Sequence, residues 1–120
     1  MSGMDISSIL TVTVPVADQE RALAFYTGVL GMEVRTDNPA PMGRWLTVAP
    51  KGGETALLLA SWFPDMAPLG GLVVASPGLD ELAARLREHG ADCEGPVDEP
   101  WGRQLVFKDP DGNGFVVVAA

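Results

Sequence analysis

The stretch that decides the fold is "FKDPDGNGFVVVAA", residues 107–120. Its centre, Asp-Pro-Asp-Gly-Asn, is typical of a hairpin turn, because proline fixes φ, glycine accepts positive φ, and Asp and Asn side chains bond the nearby backbone. Apolar residues follow the turn. The pattern therefore predicts a strand after a polar turn, and that strand carries neither a charged side chain nor an imidazole.

A similar hairpin pattern occurs earlier in the chain. "GRWLTVAPKGGETALLLA" begins at Gly43 and "GRQLVFKDPDGNGFVVVA" begins at Gly102. The constant shift that takes Gly43 to Gly102 also pairs residues of the same type elsewhere. These pairs are Arg44/Arg103, Leu46/Leu105, Gly53/Gly112, Leu59/Val118, Ala60/Ala119, Leu10/Leu69, Val14/Val73, Leu23/Leu82, Ala24/Ala83, Gly31/Gly90 and Pro41/Pro100. The chain is therefore predicted to contain two copies of one module of about 60 residues.

Each module has the pattern of a strand, a helix, a second strand and a closing hairpin. In the first copy, "ILTVTVPV" alternates with period 2, and a helix is predicted from the capping Asp18 to about Gly31. In the second copy, "LVVAS" is the strand and "GLDELAARLREHG" is the helix, which ends at Gly90. The short strands "MEVRT" and "ADCEG" follow the helices.

The predicted fold class is α+β, with two tandem βαβββ modules in a single domain of residues 1–120. The modules span about 6–61 and 71–120, and residues 62–70 connect them. A sheet with a helix on one face leaves its other face bare, so we expect the two sheets to pair around a shared cavity.

Composition excludes some classes of partner. The chain has 8 Lys+Arg against 16 Asp+Glu, a net charge of -8, which disfavours binding to nucleic acid and to anionic membrane surfaces. The start "MSGMDISSIL" lacks the pattern of a signal peptide, and no apolar run is long enough to span a membrane. Cys93 is the only cysteine and is expected to be a small buried apolar residue. We expect a cytoplasmic protein.

The segments "VPVADQERALAFYTGVLGMEV" and "WGRQLVFKDPDGNGF", together with the paired-module order, resemble the vicinal oxygen chelate superfamily. This superfamily includes glyoxalase I, extradiol dioxygenases and bleomycin-resistance proteins, and the resemblance covers residues 6–119. It implies a cupped, eight-strand arrangement, usually in a dimer. It also implies a cavity lined by the strand faces that point away from the helices.

Enzymes of that superfamily hold a divalent metal with His and Glu residues on the first and last strands of each module. The resemblance puts those four places at Thr11 or Thr13, Leu57 or Leu58, Leu72, and Val116. None of these side chains supplies the imidazole nitrogen or carboxylate oxygen that such metals need. We therefore expect no metal and no other cofactor. The only histidine, His89, is expected to cap the end of the second helix.

Period-2 geometry predicts which strand residues line the cavity. The residues expected to face the helices are Val12, Val14, Leu46, Val73, Leu105 and Phe107. The residues expected on the opposite faces are Thr11, Thr13, Trp45, Thr47, Leu58, Leu72, Val74, Gln104, Val106 and Val116. Loop residues Met42, Trp62, Phe63 and Trp101 are expected to rim the opening and to stack on a flat ligand, although Trp62 and Phe63 fit a dimer interface equally well.

The predicted ligand-binding residues are Thr11, Thr13, Met42, Trp45, Thr47, Trp62, Phe63, Trp101, Gln104 and Val116. Arg44 and Arg103 occupy equivalent places in the two modules, so a shared structural role, such as pairing with a helix carboxylate, is expected instead.

Three functions remain open at this point, and the sequence favours the first. The first is a metal-free, homodimeric protein that binds and sequesters an aromatic or cationic small molecule. The second is a glyoxalase-like or dioxygenase-related enzyme that uses acid–base residues from loops, for which the candidates are Asp37, Asp65, Glu94, Asp98 and Glu99. The third is a scaffold whose cavity is filled by its own side chains. No catalytic residue is predicted.

Overall fold

The computed structural model describes residues 3–120 and contains two separate four-stranded mixed sheets. The elements are β1 (Thr11–Pro15), α1 (Gln19–Ala24), a π-helical segment (Phe25–Val29), β2 (Glu33–Ala40), β3 (Gly43–Ala49), β4 (Ala56–Ala60), β5 (Leu72–Ser76), α2 (Leu79–Glu88), β6 (Cys93–Glu99), β7 (Gly102–Lys108) and β8 (Gly114–Ala119). The strand orders are β1-β4-β3-β2 and β5-β8-β7-β6. In each sheet the first and last strands of the module are parallel, and the other pairs are antiparallel.

The α+β class and the tandem βαβββ order are confirmed. The module limits 6–61, 62–70 and 71–120 stay a prediction. Within residues 3–120, neither helix is long and apolar enough to cross a membrane.

The helix ends follow the predicted capping chemistry. A carboxylate oxygen of Asp18 accepts hydrogen bonds from the backbone N–H groups of Glu20 and Arg21 at 3.0 and 3.1 Å. This satisfies two of the N–H groups that the first turn of a helix leaves without a partner. At the end of α2, Nδ1 of His89 lies 2.9 Å from the carbonyl oxygen of Arg85, which confirms its capping role. Gly90 follows with φ of 71° and ends the helix.

A single apolar core lies between the helices and the sheets. Val14, Leu46, Leu105 and Phe107 belong to it, as predicted, and Val12 packs against its edge. Cys93 is partly buried against the same core, and burial raises the pKa of its thiol. A raised pKa lowers the fraction of reactive thiolate, so the structural role expected for Cys93 is supported.

The predicted orientation of β5 is wrong. Val73 is 63% exposed, whereas Leu72 and Val74 pack against the core, so the helix-facing residues are one position away from those predicted. The single constant shift between modules therefore fails in this strand. It fails again in β8, where Val117 is fully buried and Val118 is not. Because side chains alternate with period 2, a change of one residue exchanges the two faces.

The turn that opened the sequence analysis joins the two modules. The carboxylate of Asp109 is buried and accepts a hydrogen bond from the hydroxyl of Tyr26 at 2.6 Å. The side-chain amide of Asn113, which is also fully buried, donates to Asp109 and to the carbonyl oxygen of Pro15. The polar residues of this turn thus hold the second module's hairpin against the helix and first strand of the first module.

Arg44 and Arg103 carry out the same structural task in the two modules. Arg44 on β3 pairs with Glu20 near the start of α1 and with Asp37 on β2. Arg103 on β7 pairs with Asp80 on α2 at 2.7 Å and with Asp98 on β6 at 3.5 Å. The predicted pairing with a helix carboxylate is therefore confirmed for both arginines.

Candidate functional site

The side of each sheet that faces away from the helices is here termed its open face. In the first sheet, Leu57 and Leu59 belong to the core, so Leu58 between them points to the open face. Thr13 and Thr47 are the register partners of Leu58 on the two neighbouring strands. These three side chains therefore lie side by side, with Thr11 one step along β1. Leu58 and Thr47 are each 3% exposed, whereas Thr11 and Thr13 are partly exposed.

A row of aromatic rings continues this surface. Trp45 lies on the open face of β3, because its neighbour Leu46 is in the core. The indole of Trp62 stacks on it, with ring centroids 6.1 Å apart and an angle of 24° between the planes. Phe63 follows, with its centroid 5.9 Å from that of Trp62. Phe63 is 44% exposed, and Trp45 and Trp62 are partly exposed, so part of the row is accessible from solvent.

Gly43 makes the stack of Trp62 on Trp45 possible. A Cβ placed on Gly43 would lie 3.0 Å from Cε3 of Trp62, closer than side chains normally approach. The absence of a side chain at the start of β3 lets the indole lie against the backbone. Met42, immediately before Gly43, is 51% exposed at the same edge.

The open face of the second sheet carries the remaining predicted residues. Val116 is the register partner of Val73 on one side and of Val106 on the other. Gln104 lies one step along β7, and its side-chain oxygen accepts a hydrogen bond of 2.9 Å from the indole N–H of Trp101. Trp101 is 70% exposed. This face is mostly apolar and has one amide whose N–H₂ group remains available to a ligand.

The ten predicted residues therefore form two groups on two sheets. Thr11, Thr13, Met42, Trp45, Thr47, Trp62 and Phe63 belong to the first group, and Trp101, Gln104 and Val116 belong to the second. Leu72 and Val74 were predicted to line the cavity, and this is wrong, because both pack against the core. Val73 takes their place.

Sequence reasoning missed Thr36, Asn38 and Val97 on the open faces, and it named Glu94 as a loop residue although Glu94 lies on β6. Thr36 and Asn38 are the register partners of Thr47 and Trp45, and Thr36 shares a hydrogen bond of 2.6 Å with the hydroxyl of Thr47. Glu94 and Val97 are the partners of Val106 and Gln104. The alternation around Cys93, a core residue, was the available signal for Glu94. Asn38 was missed because β2 extends to Ala40, beyond the predicted "MEVRT".

The donor chemistry of the open faces does not fit a divalent metal. Of the places that the superfamily's enzymes use, Thr13, Leu58, Val73 and Val116 point to the open faces, and none offers a carboxylate or an imidazole. Correcting Leu72 to Val73 does not change this conclusion. Within residues 3–120, no cluster of three or more His, Cys, Asp or Glu side chains is arranged to hold a metal ion.

The carboxylates considered for acid–base chemistry lie on strands more often than on loops. Asp37 on β2 is bound by Arg44, which lowers the pKa of that carboxyl through a hydrogen bond and keeps it ionised. Asp98 on β6 lies against Arg103. Asp65 is exposed in the connector, and Glu99 is at the end of β6. Of this group, Glu94 lies beside the apolar centre of an open face.

The order of two βαβββ modules, each with its own four-stranded mixed sheet, is typical of one class of protein. The model of the Glyoxalase/Bleomycin resistance protein/Dioxygenase superfamily matches residues 8–117. The chain belongs to this superfamily, as its motifs predicted.

Individual relatives cover almost the whole chain. TnmS3, an antibiotic binding protein from Streptomyces sp. CB03234, is 46% identical, with a TM-score of 0.88 over 97% of this chain and 98% of that one. A superfamily member from Sphaerobacter thermophilus is 36% identical, with a TM-score of 0.84 over 96% and 98% of the two chains. The uncharacterized protein YetH of Bacillus subtilis is 33% identical over 93% of this chain and 98% of its own length.

Proposed function

We propose that this protein binds a small aromatic or cationic molecule on the open faces of its sheets, without a metal, and sequesters it. The binding residues are those predicted from the sequence, with Val73 added. An antibiotic is the kind of ligand we favour. The similarity to TnmS3, described as an antibiotic binding protein, supports this choice.

The stack of Trp45 on Trp62, continued by the ring of Phe63, is the observation that carries the proposal. Three neighbouring rings offer a large apolar area at low conformational cost, and a flat ligand gains stacking as well as burial. The hydroxyl of Thr13 and the amide of Gln104 then orient the ligand. The buried hydroxyl of Thr47, which is hydrogen-bonded to Thr36, supports this part of the site from below.

The negative charge of the protein favours a cationic ligand. The net charge of -8 attracts cations from solution, and Glu94 adds a carboxylate beside the apolar centre of the second open face. Exposed indole faces attract cations further.

A second copy of the chain is part of the proposal. Val73, Val97 and Trp101 are 63%, 47% and 70% exposed on or beside the open face of the second sheet. A group of exposed apolar side chains is typical of a surface that contacts a ligand or another protein chain. We propose that the protein is a homodimer in which the open face of one copy helps to close the cavity of the other. A lone cysteine suits the reducing cytoplasm, where we propose that the protein acts.

Ligand titration of the Trp45→Ala variant tests the binding site. Doxorubicin and bleomycin serve as first antibiotic probes, followed by a panel of planar aromatic cations, with tryptophan fluorescence and calorimetry as readouts. For any molecule that binds the native protein, we expect Trp45→Ala to weaken binding by roughly 1–3 kcal/mol, because stacking is lost.

The matched control for this experiment is Trp45→Phe, which keeps a ring and should retain most of the affinity. Thermal unfolding of both variants shows that they remain folded. If Trp45→Ala binds every ligand as tightly as the native protein does, the ligand does not stack on this aromatic row.

A further inference from the structure

A cavity lies on the helix side of the second sheet, away from the open face of that sheet. Its volume is about 340 Å³, and it lies between the two modules. Its walls include Phe107 and Phe115, which belong to the core on the helix side of the sheet. A ligand in this cavity would therefore be separated from the open face by the thickness of the sheet.

The walls of this cavity are mainly apolar. Leu30 and Met32 come from the end of the first helical region, and Val74 and Leu82 come from β5 and α2. All four are only partly buried, so they present apolar surface that the fold itself leaves uncovered. The volume is at the lower end of the range for ligand pockets, which indicates a small molecule.

Two basic side chains line the cavity without a carboxylate partner. Arg21, Arg35, Arg44 and Arg103 are all in ion pairs. By contrast, among residues 3–120 no carboxylate lies within ion-pair distance of Lys51 or Arg85, although both line the cavity. Arg85 donates a hydrogen bond of 3.2 Å to the carbonyl oxygen of Val29, which leaves other N–H groups of its guanidinium available.

One acidic side chain, Glu81, also lines the cavity. Its Cδ lies 3.5 Å from the position that a Cβ would take on Gly78, so the carboxylate folds back over the N-terminal end of α2. The helix dipole favours negative charge there. The lining nevertheless has one more basic than acidic side chain, in a protein whose net charge is -8.

We propose that this cavity is a second binding site, for a small amphipathic organic anion. The apolar body of the ligand lies against Leu30, Met32, Val74 and Leu82. Its carboxylate or sulfonate faces Lys51 and Arg85. The proposal does not depend on the function proposed for the open faces, and it requires a ligand of opposite charge.

Two fluorescent probes with the same rings test the charge preference. 8-Anilino-1-naphthalenesulfonate carries the anion, and N-phenyl-1-naphthylamine lacks it. We expect the sulfonate to bind more tightly and its affinity to fall with added salt, because exposed charges are screened. Equal affinities for the two probes would overturn the proposal.

Charge-altering variants locate the site. Lys51→Gln and Arg85→Gln should each weaken binding of the sulfonate about two- to fivefold, and Glu81→Gln should strengthen it. Arg87→Gln, on the same helix but outside the cavity, and Lys108→Gln are the matched controls and should leave the affinity unchanged. Lys51 makes no hydrogen bond within the described residues, so its variant remains informative if Arg85→Gln unfolds.

Two outcomes would contradict this assignment. If Lys51→Gln weakens binding no more than Lys108→Gln does, the anion does not contact this cavity. If Trp45→Ala abolishes binding of the sulfonate, the probe occupies the open face instead, and the function proposed for that face is unaffected.

Discussion

Tyr26 is the residue that most directly joins the two modules. Its ring is fully buried against Phe25 and Phe115, and its hydroxyl donates to the buried carboxylate of Asp109. Burial, followed by the negative charge and the hydrogen bond of Asp109, raises the pKa of Tyr26 well above its ordinary value of 10.0. The phenol therefore stays neutral in the folded protein.

We expect Tyr26→Phe to lower the free energy of unfolding at pH 7 by about 1–3 kcal/mol, because a hydrogen bond between buried groups is lost. Chemical denaturation measures this change. The matched comparison is Asp109→Asn, alone and combined with Tyr26→Phe. If the hydroxyl and the carboxylate interact, the double variant loses less than the two single changes added together. Full additivity would contradict the coupling.

The same residue predicts how stability depends on pH. Because the pKa of Tyr26 is higher in the folded protein, the unfolded chain loses its proton first. The contribution of Tyr26 to the free energy of unfolding is therefore complete below about pH 10, and it falls as the pH rises above that value. Stability measured between pH 9 and 11.5 should decline less steeply in Tyr26→Phe than in the native protein. Parallel curves would show that Tyr26 does not control alkaline unfolding.

The sequence alone predicted residues whose partners are local or repeated. Asp18 and His89 act on their own helices, and Arg44 and Arg103 were identified by their equivalence. The bond between Tyr26 and Asp109 joins residues far apart in the chain, so no local pattern pointed to it. Val73 was misplaced because the first four residues of "LVVAS" are all apolar, so no alternation of polar and apolar side chains marks the open face.

At the scale of elements, the hairpins of the two modules differ in one functional contact. Gly43 and Gly102 both begin the third strand of a module and have φ of 145° and 132°. A Cβ on Gly43 would meet the indole of Trp62, whereas one on Gly102 would have nothing within 4 Å. Gly102 is therefore a control for Gly43, because it has the same kind of backbone conformation and no aromatic contact.

We expect Gly43→Ala and Gly102→Ala each to destabilise the protein by about 1–3 kcal/mol, because both glycines have a conformation that L residues rarely adopt. Only Gly43→Ala should also move Trp62 off Trp45. Near-ultraviolet circular dichroism and ligand affinity would report that movement. Unchanged spectra and affinity in Gly43→Ala would show that the stack does not depend on the missing side chain.

The limits of the strands were harder to predict than their existence. β2 continues through Asp37 and Asn38 to Ala40, although Asp, Asn and Pro are typical of turns. Its continuous pairing with β3 from Thr36 to Ala40, which follows a bulge after Val34, outweighs that local preference. As a result, the sequence prediction omitted Asn38 from the open face, while Trp45 on the partner strand was identified.

At the scale of the whole molecule, each chain presents two open faces that belong to separate sheets. The fold class was predictable because the repeat, the turns and the superfamily motifs agree. The arrangement that closes the cavity was not predictable from the sequence. Strand periodicity is the same whether two modules face each other within one chain or across two chains.

We expect light scattering after size-exclusion chromatography to give twice the mass of one chain. Val73→Glu should shift the protein towards the monomer, because a charge would replace a 63% exposed apolar residue in the proposed interface. Val34→Glu is the matched control, since Val34 is 44% exposed on β2 and should tolerate the charge. A native protein that stays monomeric at micromolar concentration would contradict the proposed dimer.

The central claim is that the open faces bind an aromatic ligand by stacking and burial and do not need an ion. The most direct test is the midpoint of thermal unfolding of EDTA-treated protein, measured with a panel of planar aromatic cations and, separately, with Zn²⁺, Ni²⁺, Mn²⁺ and Fe²⁺. The account predicts that at least one aromatic cation raises the midpoint in EDTA and that none of the metals does. A midpoint raised by a stoichiometric metal, with aromatic ligands acting only in its presence, would contradict it.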